Sequence, residues 1–502
     1  MSEEGVRREE AGKHFISVAP VYEPYAYVAI SVDPETKRLY YLTIEPLLLE
    51  EERKDLEKIK EILLEELDVD LNALEGRHKA EEYLKKALKK VVKKYKLRIS
   101  DEALGKITYY VIRDFVGFGK IDPMMRDHMV EDISCDGVGV PIYVWHREYE
   151  SLPSNVIFNS ADELDSFVAR LAYRTGKHVS IAQPIVDAAL PDGSRINITF
   201  SSEVSRKGSS FTIRKFRADP LTVTDLIIFN TITSEMAAYF WLAMENKMSI
   251  VVAGGTATGK TTLLNCLAMF IRPEHKIVTV EDTAELNLPH ENWLPMVTRS
   301  GWGTQISEVT LFDLLKAAMR QRPDYIIVGE VRGEEAYTLF HAIATGHGGL
   351  CSIHADSVPA VIHRLESEPM NVPRQLLTLL NAIVVLSRTR VGKKPARRVS
   401  VSSEVVALDP RTKEVLTNDV YKWDPRNDQF TFTGRSYLLD RIAKEFGFTP
   451  EYIKEELARR KTVLDWMVKK NIRTYRDVGN VIREYYLNPI RTYRRAKMEL
   501  VG

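Results

Sequence analysis

The densest chemistry in this chain lies at Gly254-Gly255-Thr256-Ala257-Thr258-Gly259-Lys260-Thr261-Thr262, which follows the apolar run Ile250-Val251-Val252-Ala253 and precedes helical spacing from Leu263 to Phe270. A strand, a glycine-rich turn and a helix in that order form a phosphate cradle. Glycines let the backbone curl with its N–H groups inward, and the helix start adds partial positive charge. Lys260 can then reach the β- and γ-phosphates of a nucleotide, Gly255, Thr256, Ala257, Thr258, Gly259 and Thr262 complete the contacts, and Thr261 ligates Mg²⁺. ATP and Mg²⁺ are the expected cofactors.

Hydrolysis also needs groups that hold the metal, orient water and sense the γ-phosphate. Three later segments offer them. In Ile277-Val278-Thr279-Val280-Glu281-Asp282-Thr283-Ala284-Glu285 an apolar strand delivers carboxylates to its C-terminal end, where ligands sit in open parallel sheets. Glu285 is a candidate base toward the attacking water, with Glu281 and Asp282 organising Mg²⁺ or the loop. In Tyr325-Ile326-Ile327-Val328-Gly329-Glu330 a second apolar strand ends in a carboxylate. Asp is usual in phosphate-loop ATPases where this chain has Gly329, so the metal-side role falls to Glu330. The spacing leaves the general base open between Glu285 and Glu330. The third segment, Thr345-Gly346-His347-Gly348-Gly349-Leu350-Cys351-Ser352-Ile353-His354, flanks a short strand with two histidines that can donate to phosphate oxygens near neutral pH.

The elements that must hold these groups are those of a large globular protein. A chain of 502 residues is long for one core, and its 70 basic and 70 acidic side chains cancel, so any attraction to nucleic acid would have to be local. Cys135, Cys266 and Cys351 lie far apart and form no zinc or disulfide pattern. The charged Met1 to Lys13 does not resemble a cleaved signal, and the apolar Leu376 to Leu386 is too short to span a bilayer.

Up to about residue 100 a strand-like Ala26 to Val32 precedes charged helical runs, Leu47 to Leu67 and Glu81 to Lys96, whose lysines suit a solvated face. A mixed α/β unit is expected over 101–217, a connector opening at Asp219-Pro220 over 218–233, and alternating strands and helices from 234 onward. That alternation with buried apolar runs predicts a mostly parallel sheet covered by helices. Asp409-Pro410 and Asp424-Pro425 punctuate a β-meander after Val399, and helical spacing returns from Tyr437 to the end.

The ordered set of phosphate loop, Glu281-Asp282-Thr283-Ala284-Glu285, Gly329-Glu330-Val331-Arg332-Gly333 and the His347/His354 segment resembles the type II/type IV secretion ATPase superfamily, including its archaeal archaellum and pilus motors. Its marks are a Walker A loop, an acidic "Asp box", a Walker B ending in Gly-Glu and a "His box". Gly119-Lys120-Ile121-Asp122-Pro123 and Asp192-Gly193-Ser194-Arg195 look like its N-terminal domain. The resemblance implies a RecA-like P-loop motor domain preceded by a mixed α/β domain, assembled as a homo-hexamer with ATP between the two. It also implies phosphate-contacting arginines, at positions matching Arg195, Arg206, Arg214 and Arg217, and a catalytic contribution from His354 with His347 binding nucleotide. Ala257 stands where the family usually has a second loop glycine, and the bacterial four-cysteine module is missing.

The function this implies is a cytoplasmic ATPase at the membrane face, pushing on a polytopic inner-membrane platform protein and through it on pilin-like subunits. Nucleic acid is not expected, although a conjugation-type ATPase acting on nucleic acid is the alternative. A small-molecule kinase or nucleotide switch would need an acceptor pocket or base-reading motif that the sequence does not display.

Overall fold

The structure is a computed structural model and describes residues 14–67, 77–216, 219–299, 307–392 and 394–501. Met1 to Lys13 lie outside the described residues. The chain divides into two compact units, Met1–Arg217 and Ala218–Gly502.

The first unit contains strands β1 (His14–Tyr22), β2 (Ala26–Val32) and β3 (Leu39–Ile44), then helices α1 (Glu50–Glu66), α2 (Arg77–Lys94), α3 (Asp101–Phe115) and α4 (Asp122–Arg126). Strands β4 (Val130–Cys135), β5 (Pro141–His146) and β6 (Glu150–Ile157), helix α5 (Ala161–Arg174) and strands β7 (Ile185–Ala189), β8 (Arg195–Thr199) and β9 (Ser210–Arg214) complete it. The strands form one sheet in the order β1-β2-β3-β6-β5-β4-β9-β8-β7. Helices α1, α2 and α3 each bury one stripe at helical spacing: Leu56, Ile59 and Leu63 meet Leu84, Leu88 and Val91, and both meet Ile107 and Val111. The lysines of α2, among them Lys85, Lys86, Lys89, Lys90 and Lys93, are exposed. No break falls at residue 100, because α1 and α2 share a core with α3 and β3 joins β6 through Tyr41 and Ser154.

The second unit begins with α6 (Val223–Ile228), α7 (Ser234–Glu245), β10 (Ile250–Gly254), α8 (Lys260–Met269), β11 (Ile277–Glu281) and β12 (Trp293–Val297). It continues with α9 (Leu311–Met319), β13 (Tyr325–Val328), α10 (Glu335–Ala344), β14 (Gly348–Ile353), α11 (Val358–Glu366) and α12 (Arg374–Leu377). Strands β15 (Ala382–Val391), β16 (Lys394–Leu408), β17 (Val415–Asp424) and β18 (Gln429–Phe432) precede helices α13 (Tyr437–Phe446), α14 (Pro450–Lys469), α15 (Tyr475–Leu487) and α16 (Pro489–Val501). The stretch expected to be a connector, 218–233, carries α6, and its Val223, Leu226 and Ile232 are in the core.

The second sheet runs β12-β11-β13-β14-β10-β15-β16-β17-β18, parallel from β12 through β15 and antiparallel beyond. Parallel strands buried on both faces need helices on both, and alternation along β10 shows the two layers. Ile250 and Val252 face a core with α7, α8 and the C-terminal helices, while Val251 and Ala253 face one with α9, α10 and α11. The expected meander is present but starts earlier, at Ala382, as a direct continuation of the parallel sheet. The apolar run Leu376 to Leu386 is not one element: α12 ends, and the buried Asn381 accepts from the Ser249 N–H at 2.7 Å before β15 begins.

Candidate nucleotide site

β10 is buried along its whole length and delivers its last residue, Gly254, to the turn. A Cβ at Gly254 would stand 2.8 Å from the Leu386 carbonyl oxygen, a backbone atom with nowhere to move, so only glycine fits. The turn is closed from inside: Thr258 Oγ1 and Lys260 Nζ each donate to the Gly255 carbonyl at 2.9 Å. Gly259 has φ 94° and caps α8, whose first turn carries Lys260, Thr261 and Thr262, all half-buried. Ala257 has φ 58°, the left-handed region that a side chain enters at a cost. Thr256 is exposed at the tip.

Parallel register places the other candidates. Strands β11, β13 and β14 run with β10, so Glu281, Glu330 and His354 all stand at the edge of the sheet that holds the loop. Neighbouring strands are about 4.8 Å apart. By that spacing the end of β14 lies about 5 Å from β10, that of β13 about 10 Å and that of β11 about 14 Å.

Glu281 is 2 % exposed, and its Oε1 accepts from the N–H groups of Glu285 at 3.0 Å and Leu286 at 3.1 Å. Its Oε2 is buried with no hydrogen-bond partner. Burial pushes its carboxyl up to about 7, against the pull of the two N–H groups. Organising the loop is therefore what Glu281 visibly does. Glu285 is exposed on that loop.

Glu330 Oε2 accepts from Arg332 Nη2 at 2.5 Å, and Arg332 Nη1 lies 3.8 Å from Asp282 Oδ2, so one guanidinium ties the ends of β13 and β11. Behind them the buried Glu335 accepts from the N–H groups of Arg332 and Gly333, and Ser352 Oγ donates to the Gly329 carbonyl at 2.6 Å.

His347 is not brought to this edge. It precedes β14 while His354 follows it, and a six-residue strand separates its ends by about 20 Å. His347 Nδ1 lies 3.0 Å from the Ala342 carbonyl, at the end of α10. Two residues flanking one strand cannot both meet a phosphate at one end of it, and the exposed His354 is the one on the loop side.

The arginines separate likewise. Arg195 and Arg214 face each other across β8 and β9, bonded to Asp187 at 2.7 Å and Asp132 at 3.3 Å. Arg206 lies in the connection from β8 to β9, at the other end of that strand pair. Arg217 lies outside the described residues. Sequence reading missed Arg397: from β16 its Nε donates to the Ala257 carbonyl at 3.0 Å. The available signal was the basic set Arg388, Arg390, Arg397 and Arg398, hidden because the meander was expected to start only after Val399.

A parallel α/β sheet with a lysine-bearing phosphate loop, and carboxylates lined up at the same edge, defines a P-loop nucleotide-binding protein of RecA-like architecture. Within that class the chain belongs to the Type II/IV secretion system protein family, whose match spans residues 118–413. An uncharacterized protein of Methanocaldococcus jannaschii is 43% identical over 395 residues, covering 78% of this chain and 71% of its own. A probable conjugal transfer protein TrbB of Sinorhizobium fredii is 33% identical over 249 residues, 47% of this chain and 74% of that one. Among solved structures, the Legionella pneumophila ATPase DotB shows a loose likeness, at 16% identity over 66% of this chain and 92% of that chain, with a TM-score of 0.42. The cysteines are free and buried, and no described helix is long and apolar enough to cross a membrane.

Proposed function

We propose that this chain is an ATP-hydrolysing motor that works as a homo-hexamer at the cytoplasmic face of a membrane. It drives a polytopic platform protein, and through it type II-like secretion or the assembly of pilus-like or archaellum filaments from pilin-like subunits. The observation that carries the reading is the common edge: the loop with Lys260 and the strand ends with Glu281 and Glu330 lie on one side of one sheet. The residues present fit a magnesium nucleotide. The Gly254 turn admits no side chain, and Glu281 keeps a buried carboxylate oxygen without a partner where a hydrated cation would satisfy it.

In this reading the loop N–H groups and the start of α8 bind phosphates, and Lys260 leaves the Gly255 carbonyl for them. Thr261 and Glu330 are the proposed metal residues, and Glu281 contributes from further along the edge. A bound Mg²⁺ would neutralise charge developing on the transferred phosphoryl group. Glu330 or Glu285 takes the proton of the attacking water, and His354 donates to a phosphate oxygen. Arg195 and Arg214 share one row and can act together on one anion, whereas Arg206 cannot join them there.

The likeness to TrbB supports a second reading, a conjugation-type ATPase with a nucleic-acid substrate. One comparison tests both: turnover and solution mass of wild type and Lys260→Ala, with anionic vesicles or with DNA. The motor reading expects turnover that the variant abolishes and that rises with a six-subunit species and lipid. Salt-sensitive stimulation by DNA alone would favour the second, and turnover by a monomer indifferent to both would sink the motor.

A further inference from the structure

The β15–β16 hairpin overruns the sheet edge on which the phosphate loop sits. Gly254 is level with Leu386, and from there the two strands continue together through the pair Arg388 and Arg397. Alternation puts Arg388 and Arg397 on the same face as Leu386 and Val399, whose side chains belong to the core under α8. The basic end of the hairpin thus projects beside the loop. Arg397 meets it along its length: a Cβ at Gly259 would be 3.5 Å from Arg397 Cδ, and Nε donates to the Ala257 carbonyl at 3.0 Å.

Ala257 is the residue at which this contact matters. Its φ of 58° is one that glycine adopts freely and alanine only against a steric penalty, so the loop apex would relax unless something held it. A charge-assisted hydrogen bond to the carbonyl of that same residue is such a restraint. Arginine suits it better than lysine, because the planar guanidinium fixes the direction of Nε–H while an ammonium rotates freely.

We propose that Arg397 is a positioning residue for the nucleotide: it latches the Ala257 carbonyl, keeps the apex in its left-handed conformation, and so preforms the phosphate cradle from a hairpin outside the loop. The inference rests on the nucleotide reading above. It assigns the alanine and the arginine as one coupled pair, in which a glycine at 257 would make the latch unnecessary.

The test is equilibrium binding of fluorescent ADP and ATP analogues to the full chain in Mg²⁺ buffer, with melting curves recorded on each variant. Arg397→Gln should raise the dissociation constant about tenfold without lowering the melting temperature, the size of one lost charge-assisted bond. Arg397→Lys should recover less than half of that loss. Adding Ala257→Gly to Arg397→Gln should bring binding back to within about threefold of Ala257→Gly alone. Binding by Arg397→Gln within twofold of wild type overturns the proposal. So does full recovery by lysine, which would make the group a mere point charge, or a loss that Ala257→Gly leaves undiminished. Where Arg397→Gln does not fold, the lysine variant and Ala257→Gly/Arg397→Lys give the same decision. Wild-type binding that Lys260→Ala abolishes but Arg397→Gln leaves unchanged removes this inference alone, and no nucleotide binding by wild type removes both readings.

Discussion

Gly329 owes its identity to the side chain across from it. A Cβ there would come within 3.1 Å of Glu281 Cγ and 3.5 Å of Oε1, so the usual aspartate would crowd a carboxylate that is already buried and holding the next loop. The two candidates for the proposed general base are therefore Glu330, held by Arg332, and Glu285, exposed on the loop. Glu330→Gln and Glu285→Gln separate them: the residue that takes the proton should lose about 100-fold or more in turnover while nucleotide affinity stays within a few-fold, and the other should keep most of its rate. Equal, small losses in both would remove general-base catalysis by either. At this scale local spacing was enough to put Lys260 at the start of a helix and Glu281 and Glu330 at strand ends, where the structure has them. It was misleading where the question was which end of an element a residue occupies: His347 and His354 are close in sequence but about a strand's length apart. Arg397 was illegible, because 140 residues separate it from the carbonyl it holds.

Elements follow from signals that are themselves local. Ser160, Thr233, Thr310 and Thr449 cap helices by accepting backbone N–H groups, and the two Asp-Pro turns fall between β16, β17 and β18 as expected. The meander's attachment was not legible, since an apolar run such as Leu376 to Leu386 does not show where a helix stops and a strand starts. What fastens the meander is an ion pair with one buried member: Arg398, 4 % exposed, donates to the half-buried Asp428, which also accepts from Trp423 Nε1 and Asn230. The Arg398 hydrogen bonds hold the Asp428 carboxyl well below the usual range. A depressed folded pKa contributes stability that is full above the unfolded carboxylate value and lost as pH falls through the folded one. Asp428→Asn should therefore cost about 2 kcal/mol in urea unfolding at pH 7, with the gap to wild type narrowing below about pH 4. A gap of the same size at pH 3 and pH 7 would contradict this assignment.

On the scale of the whole molecule, the C-terminal helices belong to the same compact unit as the phosphate loop. Arg460 of α14, 2 % exposed, bonds Glu456 on its own helix and Glu245 at the end of α7, and lies 5.2 Å from the Trp241 ring centroid. Trp241 in turn stacks on Phe270, the residue that ends the phosphate-loop helix, and Tyr486 of α15 donates to the Phe270 carbonyl at 2.6 Å. Arg460→Met would remove the buried cation that Glu456 and Glu245 share and leave each with one more exposed arginine, Arg459 and Arg272, at a cost of about 2 to 3 kcal/mol. The expected result is one cooperative unfolding transition of the second unit at lower denaturant, followed by tail and core probes alike; a tail that melts by itself would show the coupling to be weak. Helical spacing revealed that such a tail exists. That it covers the face behind α8 depends on contacts across more than 200 residues, which periodicity does not encode.

The position of β10 also bears on how the protein is made. This strand sits between β14 and β15, which begin at Gly348 and Ala382, so when the phosphate loop leaves the ribosome neither of its neighbours has been synthesised. At typical elongation rates the wait is on the order of ten seconds, spent with two bare strand edges and an apolar surface on each side. A nucleotide can stabilise only a finished cradle, so the nascent second unit passes through this interval without help from such a ligand.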